Sequence, residues 1–67
     1  MITLSINGEA RQLPAGLPLD QLVIELGHAG RRIAIERNGE IVPKSQYAAT
    51  HLAEGDKLEI VVAVGGG

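Results

Sequence analysis

The 67-residue sequence contains no cysteine, no phenylalanine and no tryptophan, and Tyr47 is its only aromatic residue. Without cysteine there is neither a disulfide nor a thiolate metal ligand, and the missing thiols fit a reducing compartment. Clustered positive charge is scarce as well: the formal net charge is −2, the pI is about 5.5, and Arg31-Arg32 is the only adjacent basic pair. Nucleic acids and anionic membranes bind proteins through clustered Lys and Arg, so neither is expected as a partner. No apolar run is long enough to cross a bilayer, and Met1 leads into an alternating segment that is unlike a secretory leader. A soluble, cytoplasmic protein is the expectation.

What is present must build a dense core from aliphatic side chains. A chain this short forms one domain and buries only about 60% of the surface it exposes when unfolded. The work falls to twenty Leu, Ile and Val residues, each contributing roughly 1.5–3 kcal/mol when fully buried.

The pattern along the chain is that of short strands around one helix. Ile2, Leu4 and Ile6 alternate with Thr3 and Ser5, the period of a half-buried strand. Asn7-Gly8 follows, a pair that favours the two positive-φ positions of a type I′ turn, and predicts a hairpin into Glu9–Leu13. Pro14-Ala15-Gly16 breaks that strand. Leu19, Leu22, Val23 and Leu26 then recur at helical spacing, with Pro18 suited to the first helical position, Asp20 in the first turn and Gly27 as the stop. Ile24 falls off the apolar stripe and is expected at the surface. Ile33–Arg37 reads as a third strand, and Asn38-Gly39 repeats the hairpin signal before Glu40–Val42. Lys44 to Leu52 has no clean period and predicts a helical turn and loop pinned by Tyr47 and Leu52. After the Glu54-Gly55-Asp56 turn, Leu58, Ile60, Val62 and Val64 alternate along the longest strand, and the sequence closes on Gly65-Gly66-Gly67. The implied fold class is α+β: a mixed sheet of about five strands with one main helix packed across it. The last strand is expected at the centre, parallel to the first.

Little in the sequence supports catalysis by this chain. Its hydroxyls lack a nucleophile signature such as G-x-S-x-G, and His28 and His51 lack ligand spacing, so both histidines are expected as solvated surface groups and no metal site is expected. A pocket of several hundred Å³ is not expected in so small a domain. The informative feature is the glycine end. A phosphate-cradling glycine loop leads into a helix, and no helix follows Gly67. What remains is a side-chain-free, flexible tail ending in an α-carboxylate, able to enter a narrow channel that side chains would obstruct. A terminal linker without function is the alternative reading of the glycines.

The opening strand with Asn7-Gly8, the segment Asn38-Gly39-Glu40-Ile41-Val42-Pro43, and the stretch from Glu54-Gly55-Asp56-Lys57-Leu58-Glu59-Ile60 to Val64-Gly65-Gly66-Gly67 together resemble the ThiS family of sulfur carriers, end to end. The resemblance implies a β-grasp (ubiquitin-like) domain over residues 1–64 and a tail over 65–67. It implies a protein co-substrate that is not itself an enzyme and binds no cofactor. A ubiquitin-activating-like adenylyltransferase, using ATP and magnesium, would draw in Val64, Gly65 and Gly66 and adenylate the Gly67 carboxylate. A sulfur donor protein would convert it to a thiocarboxylate, and a thiazole synthase would take the sulfur for the thiazole ring of thiamine. The family ending is a diglycine, whereas this sequence has three glycines, which leaves open which pair corresponds. A molybdopterin-synthase-like carrier, a ubiquitin-like modifier and a plain interaction module are the rival readings.

Overall fold

Alternating burial in the first and last strands and two Asn-Gly turns shape the sheet. The computed structural model describes residues 1–63. Strand β1 (Ile2–Ile6) turns through Asn7 (φ 52°) and Gly8 (φ 84°) into β2 (Glu9–Leu13), with Ile6 opposite Glu9. The second hairpin repeats the device: β3 (Ile33–Arg37) turns through Asn38 (φ 53°) and Gly39 (φ 86°) into β4 (Glu40–Val42). Consecutive positive φ angles are the mark of a type I′ turn, whose twist matches the strands it joins. Strand β5 (Lys57–Val62) lies between the hairpins, parallel to β1 and antiparallel to β3, giving the order β2-β1-β5-β3-β4. The central position expected for the last strand is the observed one.

The alternating side chains send Ile2, Leu4, Ile6, Ile35, Leu58 and Ile60 to one face of the sheet, where helix α1 (Leu19–Glu25) covers them with Leu19 and Leu22, both fully buried. A seven-residue helix is too short to persist alone, so this packing is what holds it. Pro18 does not start the helix as expected. It is the N-cap, extended at ψ 154°, and its carbonyl accepts the amides of Gln21 and Leu22. The reason lies in the neighbouring loop: Pro18 forms a bridge with His51, and the Leu19 amide donates to the Thr50 carbonyl at 2.9 Å. At the other end Gly27 (φ 80°) follows the Leu26 cap, with Gly27 N–H on the Ile24 carbonyl and His28 N–H on the Val23 carbonyl, a Schellman closure. Ile24 is 56% exposed, as its place off the stripe requires. Lys44–Ala49 forms a 3₁₀ turn that seats Tyr47 in the core, and Leu52 is buried beside it.

Candidate functional site

The residues expected to carry the chemistry, Val64, Gly65, Gly66 and Gly67, lie outside the described residues, as does the boundary between domain and tail. What the structure does place is the base from which that segment starts. Val62 is in register with Ile33, and the Ala63 amide donates to the Arg32 carbonyl at 2.9 Å, so the chain is held to the sheet up to residue 63. Because β5 is bonded on both flanks, its direction is fixed by two neighbours.

Three polar side chains surround this strand, and in the sequence all three read only as turn residues. Asn7 Oδ1 accepts the Ile60 amide at 2.7 Å while Asn7 Nδ2 donates to the Ile60 carbonyl at 3.1 Å. One amide group thus satisfies both backbone groups of a residue just beyond the register recorded for β1 with β5, which ends at Ile6 opposite Leu58. Asn38 acts likewise at the strand's start, its Oδ1 accepting the Lys57 amide at 2.9 Å. Its Nδ2 donates to Asp56 Oδ1 at 3.2 Å. Asp56, 5% exposed, is the buried charged residue of the described chain. Its Oδ2 accepts from Arg37 Nε at 3.0 Å and from the Ala53 amide at 2.9 Å. Burial pushes the Asp56 carboxyl up, but the Ala53 amide, the Arg37 and Asn38 donors and the Arg37 charge together hold it below its ordinary value. No periodicity announces such a cluster, because its members lie up to 19 residues apart in sequence.

The sheet face away from the helix is open. Ala34 pairs with Val61, Glu36 with Glu59 and with Ile41, and Val61 and Ile41 are 64% and 63% exposed. This surface leads directly to residue 63 along β5 and presents apolar side chains flanked by two carboxylates.

Two expectations require correction on the helix side. His28 is half-buried instead of solvated, with Nδ1 shielded from solvent and without a hydrogen-bond partner. The Schellman closure causes this, since it turns the residue after Gly27 back over the helix end. His51 is exposed as expected. A cleft of about 530 Å³ also exists, between α1, the loop before β3 and the 3₁₀ turn, where a pocket was not expected. It lies open at the surface, so it does not compete with the core for volume. Among the described residues there is no group of three or more acidic, histidine or cysteine side chains placed to hold a metal, and no helix long and apolar enough to cross a membrane.

A mixed five-stranded sheet with this strand order, grasping one helix on one face and projecting its central strand towards a glycine-rich end, defines the β-grasp, ubiquitin-like class. Within that class the chain belongs to the ThiS family, whose family model matches residues 4–67. A crystal structure of thiamine biosynthesis protein ThiS from Geobacter metallireducens is similar at TM-score 0.84 and 28% identity, covering 98% of this chain and all of that one. A thiazole synthase from Paramagnetospirillum magneticum is 53% identical over 64 residues, 96% of this chain but 20% of that protein. A thiazole synthase from Magnetococcus marinus is 40% identical over 62 residues, 19% of its length. The chain therefore spans about a fifth of the curated relatives it matches first. The protein ycf40 of Porphyra purpurea matches over nearly its whole length, at 38% identity across 93% of it.

Proposed function

We propose that this chain carries sulfur on the carboxylate of Gly67 for assembly of the thiazole ring of thiamine. The observation that carries the reading is the family match, which runs through the sheet and on to the last glycine. In this scheme an adenylyltransferase of the ubiquitin-activating kind docks on the open sheet face around Val61 and Ile41, and Val64, Gly65 and Gly66 thread into its active site. The Gly67 carboxylate attacks the α-phosphate of ATP, expelling pyrophosphate and giving an acyl-adenylate. A persulfide of the donor protein attacks the acyl carbon and AMP leaves. A thiol then cleaves the resulting acyl disulfide, and the thiocarboxylate stays on Gly67. ATP and magnesium belong to the adenylyltransferase, and this chain contributes the nucleophile and the shape that presents it.

Thiazole synthase is the proposed acceptor, supported by relatives of that name that include a segment similar to this chain. The absence of cysteine agrees with the scheme, since it leaves no thiol on the chain to compete for the activated sulfur. The cytoplasm, where the nucleotide and a reducing thiol pool are at hand, is the proposed location. Intact-mass measurement of the protein from cells making thiamine tests the reading. Exchange of one oxygen for sulfur, localised to Gly67 by fragmentation, is the expected result; conjugates on lysines of other proteins would point instead to a modifier, and neither species to an interaction module.

A further inference from the structure

The cleft on the helix side combines features that the carrier reading does not use. Its floor is apolar: Val23 from α1, Ile33 from the start of β3, and the ring of Tyr47, which is 7% exposed. Its rim is cationic, formed by Arg31, Arg32 and Lys44. Among the described residues the ion pair is Arg37 with Asp56, so these three cations have no carboxylate within pairing distance there. Asp20 also lines the cleft, but its Oδ1 already accepts the Gln21 amide at 2.9 Å, and one negative charge stands against three positive ones. The chain as a whole is acidic, with a formal net charge of −2, so concentration of three cations around one concavity runs against its average. His28 adds an unsatisfied group to the wall, its Nδ1 having no hydrogen-bond partner in the present ring orientation.

We propose that this cleft binds a small phosphate monoester whose organic part is a flat ring. Guanidinium groups match a phosphate through paired N–H donors, and a lysine ammonium adds a point charge. The ring lies against Val23, Ile33 and Tyr47, and a volume of about 530 Å³ falls within the range of small-molecule sites. Burial pushes the Tyr47 phenol up, so it stays a neutral group beside the anion at physiological pH. The His28 ring gains a hydrogen bond by turning its unpaired nitrogen towards the ligand. Because Arg32 also accepts the Ala63 amide through its carbonyl, an occupied cleft sits beside the point where the last described residue leaves the sheet. The site stands whether or not Gly67 carries sulfur.

Phenyl phosphate is the probe, with inorganic phosphate and phenol as its ringless and uncharged controls. In ¹H–¹⁵N spectra of the full chain, phenyl phosphate should cause saturable shifts confined to the cleft, at Val23, His28, residues 30–33 and the Lys44–Ala49 turn, and bind more tightly than either control. The double variant Arg31→Gln/Arg32→Gln should weaken binding by about tenfold or more, as loss of charge-assisted hydrogen bonds does. Both arginines are exposed, so the variant should keep a dispersed spectrum; Lys44→Gln, in a different element, provides the second measurement and should also weaken the probe. Shifts that fail to saturate, spread over the whole surface, or persist unchanged in both variants would overturn the site. Equal binding of inorganic phosphate would overturn the role of the apolar floor.

Discussion

Asp56 concentrates the chain's polar structure in one carboxylate. A carboxyl held below its ordinary value stabilises the folded state wherever it is ionised. The stabilisation is present above the unfolded carboxylate pKa of about 3.9 and is lost as pH falls through the lower folded value. Asp56→Ala removes acceptors from Arg37, Asn38 and Ala53 at once, and is expected to destabilise by roughly 1.5–3 kcal/mol at neutral pH. Urea unfolding from about pH 3 to 7 should show a smaller acid-side loss in the variant than in the parent; parallel curves would remove Asp56 from the account. Asn7 can be tested by comparison with glycine. Asn7→Gly keeps the positive φ that the turn needs and deletes only the side chain bonded to Ile60, so a loss of about 1–3 kcal/mol reports those hydrogen bonds. A neutral result would mean that solvent replaces them.

At the scale of elements, α1 owes its existence to its buried stripe, because seven residues form too few internal bonds to hold a helix. Leu22 is fully buried at the middle of it. Leu22→Ala should cost roughly 2–5 kcal/mol through lost burial and the cavity left behind, against about 3–5 kcal/mol for a whole domain of this size. Ile24→Ala, two residues on, should stay within about 0.5 kcal/mol, since that side chain is mostly in solvent. The contrast between the two, read as midpoints of denaturant unfolding, tests the orientation of the helix; similar costs would show that the stripe is wrongly placed.

At the scale of the molecule, the proposed function divides the labour between the sheet and the glycine end. The described core is closed within residues 1–63, with Ala63 hydrogen-bonded to Arg32. Deletion of Gly66 and Gly67 is therefore expected to leave cooperative unfolding unchanged while abolishing pyrophosphate release with the cognate adenylyltransferase. Gly66→Val should behave similarly, folding normally but reacting on the order of 100-fold more slowly, because a β-branched residue before the carboxylate restricts the backbone and misplaces the nucleophile. Wild-type rates from Gly66→Val would show that the end is not read sterically, and an unfolded deletion variant would show that it belongs to the core.

Among the described residues, local order in the sequence is enough to determine the five strands, both type I′ turns, and the helix with its exposed Ile24, though not the capping place of Pro18, because alternation, helical spacing and Asn-Gly pairs act between near neighbours. The central place of β5 was legible too, from its length and aliphatic content. The side-chain chemistry around it was not. Asn7 reaches Ile60 across 53 residues of sequence, and Asp56 gathers donors from a hairpin 18 and 19 residues away. These partners are set by how β5 inserts between two hairpins, which no local pattern encodes. The same holds for His28, turned inward by the Schellman closure, and for the cleft, whose walls come from three segments of the chain. Propensity and periodicity act over a few residues, whereas a shared carboxylate or a concave surface exists only once distant segments have packed.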